Sequence, residues 1–306
     1  MSANEVSLRW LSLGTLAGGA PLRVPIHTFR GSAPGPTVGI SAGIHGDEIQ
    51  PIEVVRRLAG MLHQSELAGT VHLLPVANPL AFAGLSRHTP QDQLNLNRVF
   101  PGDPNGWLTE QMAHAIAGAF LPGLAALLDL HAGGLFPTVD YVYILNDEAL
   151  SRALGVRVMF RTPRGFAGTL GSLAVEQGVP TVVAELGGGQ IADERYLTRA
   201  LDGVCSALRR LGVLPGAPAP HPEPLITERL ETLRPHQGGL LVPEVRVPDL
   251  GSVVPRGTLL GRVYDPYTFV ELERFEAPFA RTILILLRGA VSGIQIGDYA
   301  YMVGEA

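Results

Sequence analysis

The chain reads as an α/β protein, a mixed central sheet flanked by helices, followed by a small all-β part. Three observations predict this. Up to residue 214, apolar runs of strand length alternate with amphipathic stretches of helical period. A proline-rich, semi-rigid segment, Pro215–Pro224, then interrupts the pattern. Beyond it come short β-rich runs separated by Gly and Pro, with no convincing helix. The expected division is residues 1–214, a linker at 215–224 and an all-β domain at 225–306.

Residues 22–29 and 37–44 read as strands, the second a glycine-containing apolar run suited to a buried sheet with close backbone approach. A helix is expected from about Asp47 to His63, with Pro51 tolerated in its first turn and Ile52, Val55, Ala59 and Leu62 as its buried stripe. Val71–Ala77 is another apolar strand, closed by the turn signal Asn78-Pro79. The stretch 79–107 looks irregular, and long irregular segments in compact domains are often functional. A helix follows over Leu108–Phe120, stopped by Pro122-Gly123. Strands are expected at Ala126–His131, Tyr141–Leu145 and Thr181–Glu185, with Gly187–Gly189 ending the last. A helix is read around 169–177. Another, from about Asp193 to Leu211, carries the stripe Leu197, Leu201, Val204, Leu208 and Leu211.

Composition excludes several functions. Charged residues make up 17% and hydrophobic ones 46%, as in a well-buried globular chain. The net charge of −5 carries no basic footprint, so no nucleic-acid partner is expected. Thr282–Leu287 is only strand length and no run approaches a membrane span, so no membrane partner is expected either. Met1–Trp10 lacks the basic and apolar regions of a signal peptide, and the single cysteine, Cys205, has no internal partner. Both fit a cytoplasmic setting. All 23 basic residues are arginine. The absence of lysine removes Schiff-base chemistry, a P-loop and lysine-linked lipoyl or biotinyl carriers.

The chemistry-bearing stretch is Ser41–Glu48. In the first turn after a strand, the three-residue spacing of His45 and Glu48 lets an imidazole and a carboxylate converge on one point. With a third ligand from elsewhere and one position left for water, such a pair describes a catalytic zinc site. The same residues also suit a helix N-terminus with a favourable first-turn anion. His131, before a Gly-Gly turn, and Glu185 are further polar residues at strand ends, where open α/β sheets bind ligands. A capped structural histidine would look the same as His131. Asp129, on the same strand face, is placed to orient a ligating imidazole or to pair in the core. An unpartnered carboxylate ending an apolar strand is costly, which favours a functional partner for Glu185.

Taken together, Gly43-Ile-His45-Gly-Asp-Glu48, Asn95-Leu-Asn97-Arg98-Val-Phe-Pro-Gly102, Asp129-Leu-His131 and Glu185-Leu-Gly resemble the succinylglutamate desuccinylase/aspartoacylase family, a branch of the zinc carboxypeptidase-like fold. The resemblance covers most of the chain. It implies a zinc-dependent hydrolase domain, with one Zn2+ per chain held by His45, Glu48 and His131. It implies Glu185 as general base and Arg87 as the residue polarising the scissile carbonyl. Asn97 and Arg98 would hold a substrate carboxylate, which makes the partner a small carboxylate-bearing amide. The C-terminal part, with Gly257–Gly261 and Glu276-Ala-Pro278, resembles a lipoyl-type barrel-sandwich. Lacking lysine, its expected role is as a lid or in oligomerisation, so a homo-oligomer stays open.

The chain also departs from the family pattern. N-acyl-aspartate enzymes place an arginine shortly before the base, and Thr169–Ala184 has none; Arg164 is nearest by position alone. The sequence is therefore closer to the broader deacylase-like members than to those selecting a dicarboxylic substrate. A zinc carboxypeptidase acting on short peptides would use the same ligands and carboxylate fork. Gly39-Ile-Ser41-Ala-Gly43 fits a nucleophile elbow, but a helix does not follow the serine directly, and the oxyanion-like His131-Ala-Gly-Gly134 comes after it in the chain. The other seven histidines lack ligand spacing; only His88, beside Arg87, is placed to edge a site. Tyr141 and Tyr143 read as sheet packing.

Overall fold

The computed structural model describes residues 4–163 and 165–306. Arg164, the nearest arginine preceding Glu185 in sequence, lies outside them. The first part runs β1 (Glu5–Thr15), β2 (Pro21–Arg30), β3 (Ala33–Ser41), α1 (Ile49–Leu62), β4 (Ala68–Leu74), α2 (Pro79–Ala83), a 3-10 turn at Leu96–Arg98 and α3 (Leu108–Phe120). It continues through β5 (Ala126–His131), β6 (Thr138–Ile144), α4 (Glu148–Ala153), β7 (Val158–Arg161), α5 (Leu170–Glu176), β8 (Thr181–Gly188) and α6 (Glu194–Arg210). After the proline-rich segment come β9 (Leu225–Thr227), β10 (Leu230–Leu233), β11 (Gly239–Pro243), β12 (Val253–Pro255), β13 (Leu259–Tyr264), β14 (Glu271–Glu276), β15 (Arg281–Leu287), β16 (Ser292–Ile294) and β17 (Tyr301–Glu305). In this part the described residues contain no helix beyond a 3-10 turn at Val247–Asp249.

The main sheet is mixed. Its path is β1-β2-β4-β3-β5-β8-β6-β15-β17-β10, with β12 on β15 and β7 joining β6 to β9. The central neighbours β4-β3-β5-β8 are parallel, and β6 lies antiparallel on β8. Parallel strands need crossover connections, and the helices supply them on both faces. Along β5 the side chains alternate between the two faces. Leu128 and Leu130 join Val54, Leu58 and Leu62 of α1 and Leu197, Val204 and Leu208 of α6 in one core. Leu127 joins Met112, Ile116 and Phe120 of α3 and Leu170 of α5 in the other. Asp129 and His131 share the face of Leu127, so the chemistry emerges on the α3–α5 side of the sheet.

Two short helices in the first part were not read from the sequence and have local causes. Asn78-Pro79 starts a helix rather than a turn, because Asn78 Oδ1 accepts from the Ala81 backbone N–H at 3.0 Å and Pro79 occupies the first turn. Asp147 caps α4 in the same way, accepting from Leu150 N at 2.8 Å. A third difference concerns β8. Glu185 does not end this strand. Pairing of Thr138 to Gly188 along β6 carries the strand on to Gly188 and leaves Glu185 inside a ladder.

The C-terminal strands do not stand apart from the main sheet. β15 continues it through Leu286–Val139 and Leu287–Thr138, and β9 pairs with β7. A second antiparallel sheet, β14-β13-β11-β16, closes over Leu241, Leu260, Val263, Phe275 and Tyr301.

Candidate active site

The carboxyl ends of β3 and β5 supply the first three residues. After β3 the chain turns at Gly43, whose φ of +63° and close approach to Val76 Cα (2.9 Å from where a Cβ would sit) require glycine. The turn delivers His45, and Glu48 sits at the N-cap of α1. His131 is the last residue of β5.

The three side chains converge, each no more than 3% exposed. His45 Nδ1 lies 2.7 Å from Glu48 Oε1 and His131 Nδ1 3.1 Å from Oε2. One donor atom from each falls within 4.8 Å of the others, close enough to share one metal ion. The outward nitrogens are held as well. His45 Nε2 is 3.1 Å from Asn95 Oδ1, which already accepts from Asn97 N. That oxygen is an acceptor, so Nε2 carries the proton and Nδ1 keeps its lone pair facing inward. His131 Nε2 faces Asp129 Oδ2 at 3.2 Å, and Ser41 Oγ donates to Asp129 Oδ1 at 2.7 Å. A carboxylate or amide behind each ligating imidazole is the usual support of a metal site. The donor set fits one ion with a coordination position left for water.

The electrostatics point the same way. Burial pushes His45 down to about 4, against the pull of Glu48, so its imidazole is neutral. Burial also opposes charge on His131, but Asp129 and Glu48 outweigh it and hold that imidazole well above its ordinary value. Burial would raise Glu48, yet His45 and His131 hold it well below. Burial pushes Glu185 up to about 7, with His131 opposing and Glu48 reinforcing the rise. Asp129, Glu48 and Glu185 thus crowd negative charge around a few buried donors, and a cation would relieve it.

All seven residues singled out in the sequence, His45, Glu48, Arg87, Asn97, Arg98, His131 and Glu185, line one cavity of about 690 Å³. Arg87 Nη1 lies 3.2 Å from Glu48 Oε1. Asn97 is engaged on both ends of its amide: Oδ1 accepts from Leu170 N at 3.0 Å, and Nδ2 is 3.4 Å from His131 Nε2. Arg98 donates from Nη1 to Asn97 O at 2.6 Å. His88 is exposed and absent from the cavity wall.

Sequence reasoning missed several neighbours. Asn95 supports His45 across fifty positions of chain, and no local pattern marks that contact. Tyr141 and Tyr143 pack with Val139 and Ile283 as the sequence suggests, and they also line the cavity, which the alternation along β6 alone does not reveal. Thr232, Arg288, Asp298 and Tyr299 bring the C-terminal strands into the wall. Arg288 is itself buried, with Nε on Tyr299 O at 2.8 Å, Nη1 on Gly293 O at 3.1 Å and Nη2 on Asp298 Oδ2 at 3.3 Å.

A mixed sheet with a His–Glu–His cluster at its parallel-strand ends, able to hold a metal and with a carboxylate beside it, marks an α/β protein with a candidate metal centre. Comparison with known proteins narrows it. The model of the succinylglutamate desuccinylase/aspartoacylase catalytic domain matches residues 34–211. The chain belongs to the succinylglutamate desuccinylase/aspartoacylase family, a family of deacylases. It is 31% identical over 288 residues, 89% of its length and 82% of the relative's, to an N-alpha-acetyl-L-2,4-diaminobutyric acid deacetylase of Halomonas elongata. Its fold superposes on the product-bound ectoine utilization protein EutE (DoeB) of Ruegeria pomeroyi with a TM-score of 0.85 at 26% identity, covering 100% of this chain and 96% of the other. A succinylglutamate desuccinylase from Silicibacter sp. TM1040 gives a TM-score of 0.82 at 25% identity, covering 99% and 95%.

Proposed function

We propose that this protein hydrolyses the amide bond of a small N-acyl amino acid, using one zinc ion held by His45, Glu48 and His131. The observation that carries the reading is that Glu185 stands opposite His131 in the β5–β8 register, inside the cavity that the cluster opens into. When bound, the ion supplies Lewis-acid activation of the acyl carbonyl and of a water molecule.

The chain's own groups carry the rest. Glu185 takes the proton of the attacking water and passes it to the leaving amine nitrogen, so the amine departs neutral. A carboxyl that burial pushes up to about 7 is near the value at which one group both accepts and returns a proton at neutral pH. Arg87, at the cavity wall beside Glu48, offers N–H donors to the developing oxyanion. Arg98 keeps guanidinium N–H groups for a substrate carboxylate, and Asn97 holds the loop that carries it against α5. The C-terminal strands, through Thr232, Arg288 and Tyr299, wall the cavity and support a small substrate over a peptide running through it. The single buried thiol of Cys205 suits a cytoplasmic setting.

The test is a hydrolysis screen with added divalent metal across N-acyl amino acids and short peptides, with Glu185→Gln as control. Turnover of acyl amino acids that needs metal and Glu185 supports the reading. Preference for peptides would make the protein a carboxypeptidase, and turnover insensitive to chelation would remove the metal.

A further inference from the structure

The cavity holds a polar pair that the mechanism above does not use. Tyr141 and Tyr143 are two apart on β6, so both rings leave the sheet on the cavity side. Tyr141 pairs with Glu185 across β6 and β8. Tyr143 packs edge-on against Phe160 and Phe166, with ring centroids 6.0 and 5.8 Å away. The two hydroxyls are 2.6 Å apart and form one hydrogen bond.

Counting protons on this pair gives a definite result. Each phenol has one O–H to donate. The shared bond spends one of the two, and among the described residues neither oxygen meets another protein partner. One O–H is therefore available inside the cavity. Burial pushes both phenols well above their ordinary value, so the pair is a neutral donor across the working pH range. A buried donor left without an acceptor is costly, and sites are built so that a ligand satisfies it.

The surroundings say what the acceptor is. Glu185 and Arg98 line the same cavity, and both charges are felt at Tyr143, that of Glu185 more strongly; Glu185 is the base of the proposed reaction, which leaves Arg98 as the charge that a substrate anion would meet beside the pair. The segment that carries Phe166 packs onto Arg98: Phe100 N donates to Gly168 O at 3.0 Å, and a Cβ on Gly168 would lie 2.2 Å from Arg98 O. The Arg98 backbone and the Phe166 ring beside Tyr143 are thus tied by one segment, and the Arg98 and tyrosine side chains line the same cavity. A group that accepts from a guanidinium and a phenol together is an anion with more than one oxygen, such as a carboxylate.

We propose that the Tyr141–Tyr143 pair donates its available hydroxyl proton to the substrate's carboxylate, beside Arg98, and thereby selects for carboxylate-bearing amides. The proposal rests on the N-acyl amino acid reading for its substrate class. The pair reads the substrate and does not take part in proton transfer.

The experiment is calorimetric binding to zinc-loaded Glu185→Gln protein, which is expected to bind without turnover. The probes are N-acetyl-L-2,4-diaminobutyrate and its carboxamide. The parent should prefer the carboxylate, and Tyr141→Phe/Tyr143→Phe should cut that preference about tenfold or more, the scale of a lost hydrogen bond to a charged group. Tyr143→Phe alone, which removes one oxygen, should cut it by less, and serves if the double variant does not fold. No preference in the parent, or an equal loss for both probes in the variants, overturns the proposal. A shifted acid limb in the pH–rate profile when the same Phe substitutions are made in protein that keeps Glu185, with carboxylate preference kept in the binding experiment, places the hydroxyl on Glu185 and also overturns it. If native protein binds the probe but hydrolyses no acyl amino acid, the proposed function fails while the binding comparison still decides this inference.

Discussion

His131 and Glu185 are cross-strand partners on the parallel pair β5–β8, so their side chains leave the same face of the sheet about 4.8 Å apart at the backbone. His131 turns its Nδ1 to Glu48, while Glu185 makes no hydrogen bond to the cluster among the described residues. His131 is thus part of the His–Glu–His cluster, and Glu185 stands beside it, where the proposed mechanism needs a base.

That division predicts the behaviour of the ligands. Purified protein should hold one zinc ion per chain, and His131→Ala should lose most of it. Asp129→Asn, which weakens the support behind His131, should lower metal affinity about 10–100-fold without abolishing it. Metal analysis after dialysis against a graded chelator reads both. Undiminished stoichiometry in His131→Ala removes His131 from the site.

Glu185→Gln keeps the size of the side chain and removes the base. The expected loss in kcat is about 10²–10⁴, with zinc retained. A near-normal kcat rules the assignment out. Loss of zinc would make Glu185 a ligand and reopen the place of Glu48.

The buried state of Glu185 also has a pH signature. Burial raises its folded-state value from the ordinary 4.5 to about 7. The folded protein therefore binds more protons than the unfolded chain between those values, and stability falls as pH rises through them. In chelator-treated protein, wild type relative to Glu185→Gln should be most stable below about pH 4.5 and lose that advantage up to about pH 7. Loading a dication should move the transition to lower pH, since positive charge nearby favours the carboxylate. Denaturant titrations across this range measure both slopes, and parallel curves for the two proteins contradict the burial argument.

Arg288 tests the cavity wall built by the C-terminal strands. Its guanidinium is buried and bonds two backbone carbonyls and Asp298. Arg288→Ala leaves those acceptors unpaired, at a cost of about 2–4 kcal/mol. A lower Tm and a weaker substrate KM are expected together. A variant with normal Tm and KM would show that this wall does not shape the site.

The boundary at 215–224 makes a further expectation testable. A chain ending at residue 214 would uncover the β6 edge that pairs with β15 and the apolar residues Val139, Tyr141 and Val158 that pack on Ile283 and Ile285. Exposed sheet edges aggregate. The fragment should be insoluble or inactive, whereas a soluble, folded fragment would show that the two parts fold independently.

Much of the site was legible in the sequence because its signals are local. The spacing of His45 and Glu48, the Asp129–His131 strand end and the Asn97-Arg98 loop lie within short stretches whose backbone is set by strand, turn and helix rules. The helix Leu108–Phe120 was readable up to its Pro122-Gly123 stop, and Glu194–Arg210 from its apolar stripe. Asn78-Pro79 was ambiguous, since the same dipeptide serves a turn and a helix start, and the Ala81 N–H that settles it is a structural fact.

The sequence by itself determined the alternating α/β pattern and pointed to the residues that cluster at His45, Glu48 and His131, because periodicity and residue chemistry are properties of the chain. Only the tertiary structure decided that Glu185 lies within β8, that Asn95 fixes the tautomer of His45, that the tyrosines face the cavity, and that β15 extends the central sheet to wall the site. Each of these depends on pairing between segments far apart in sequence. Strand alternation says that a residue faces one side or the other, and which side becomes the cavity is settled only when the neighbouring strand and helix pack against it.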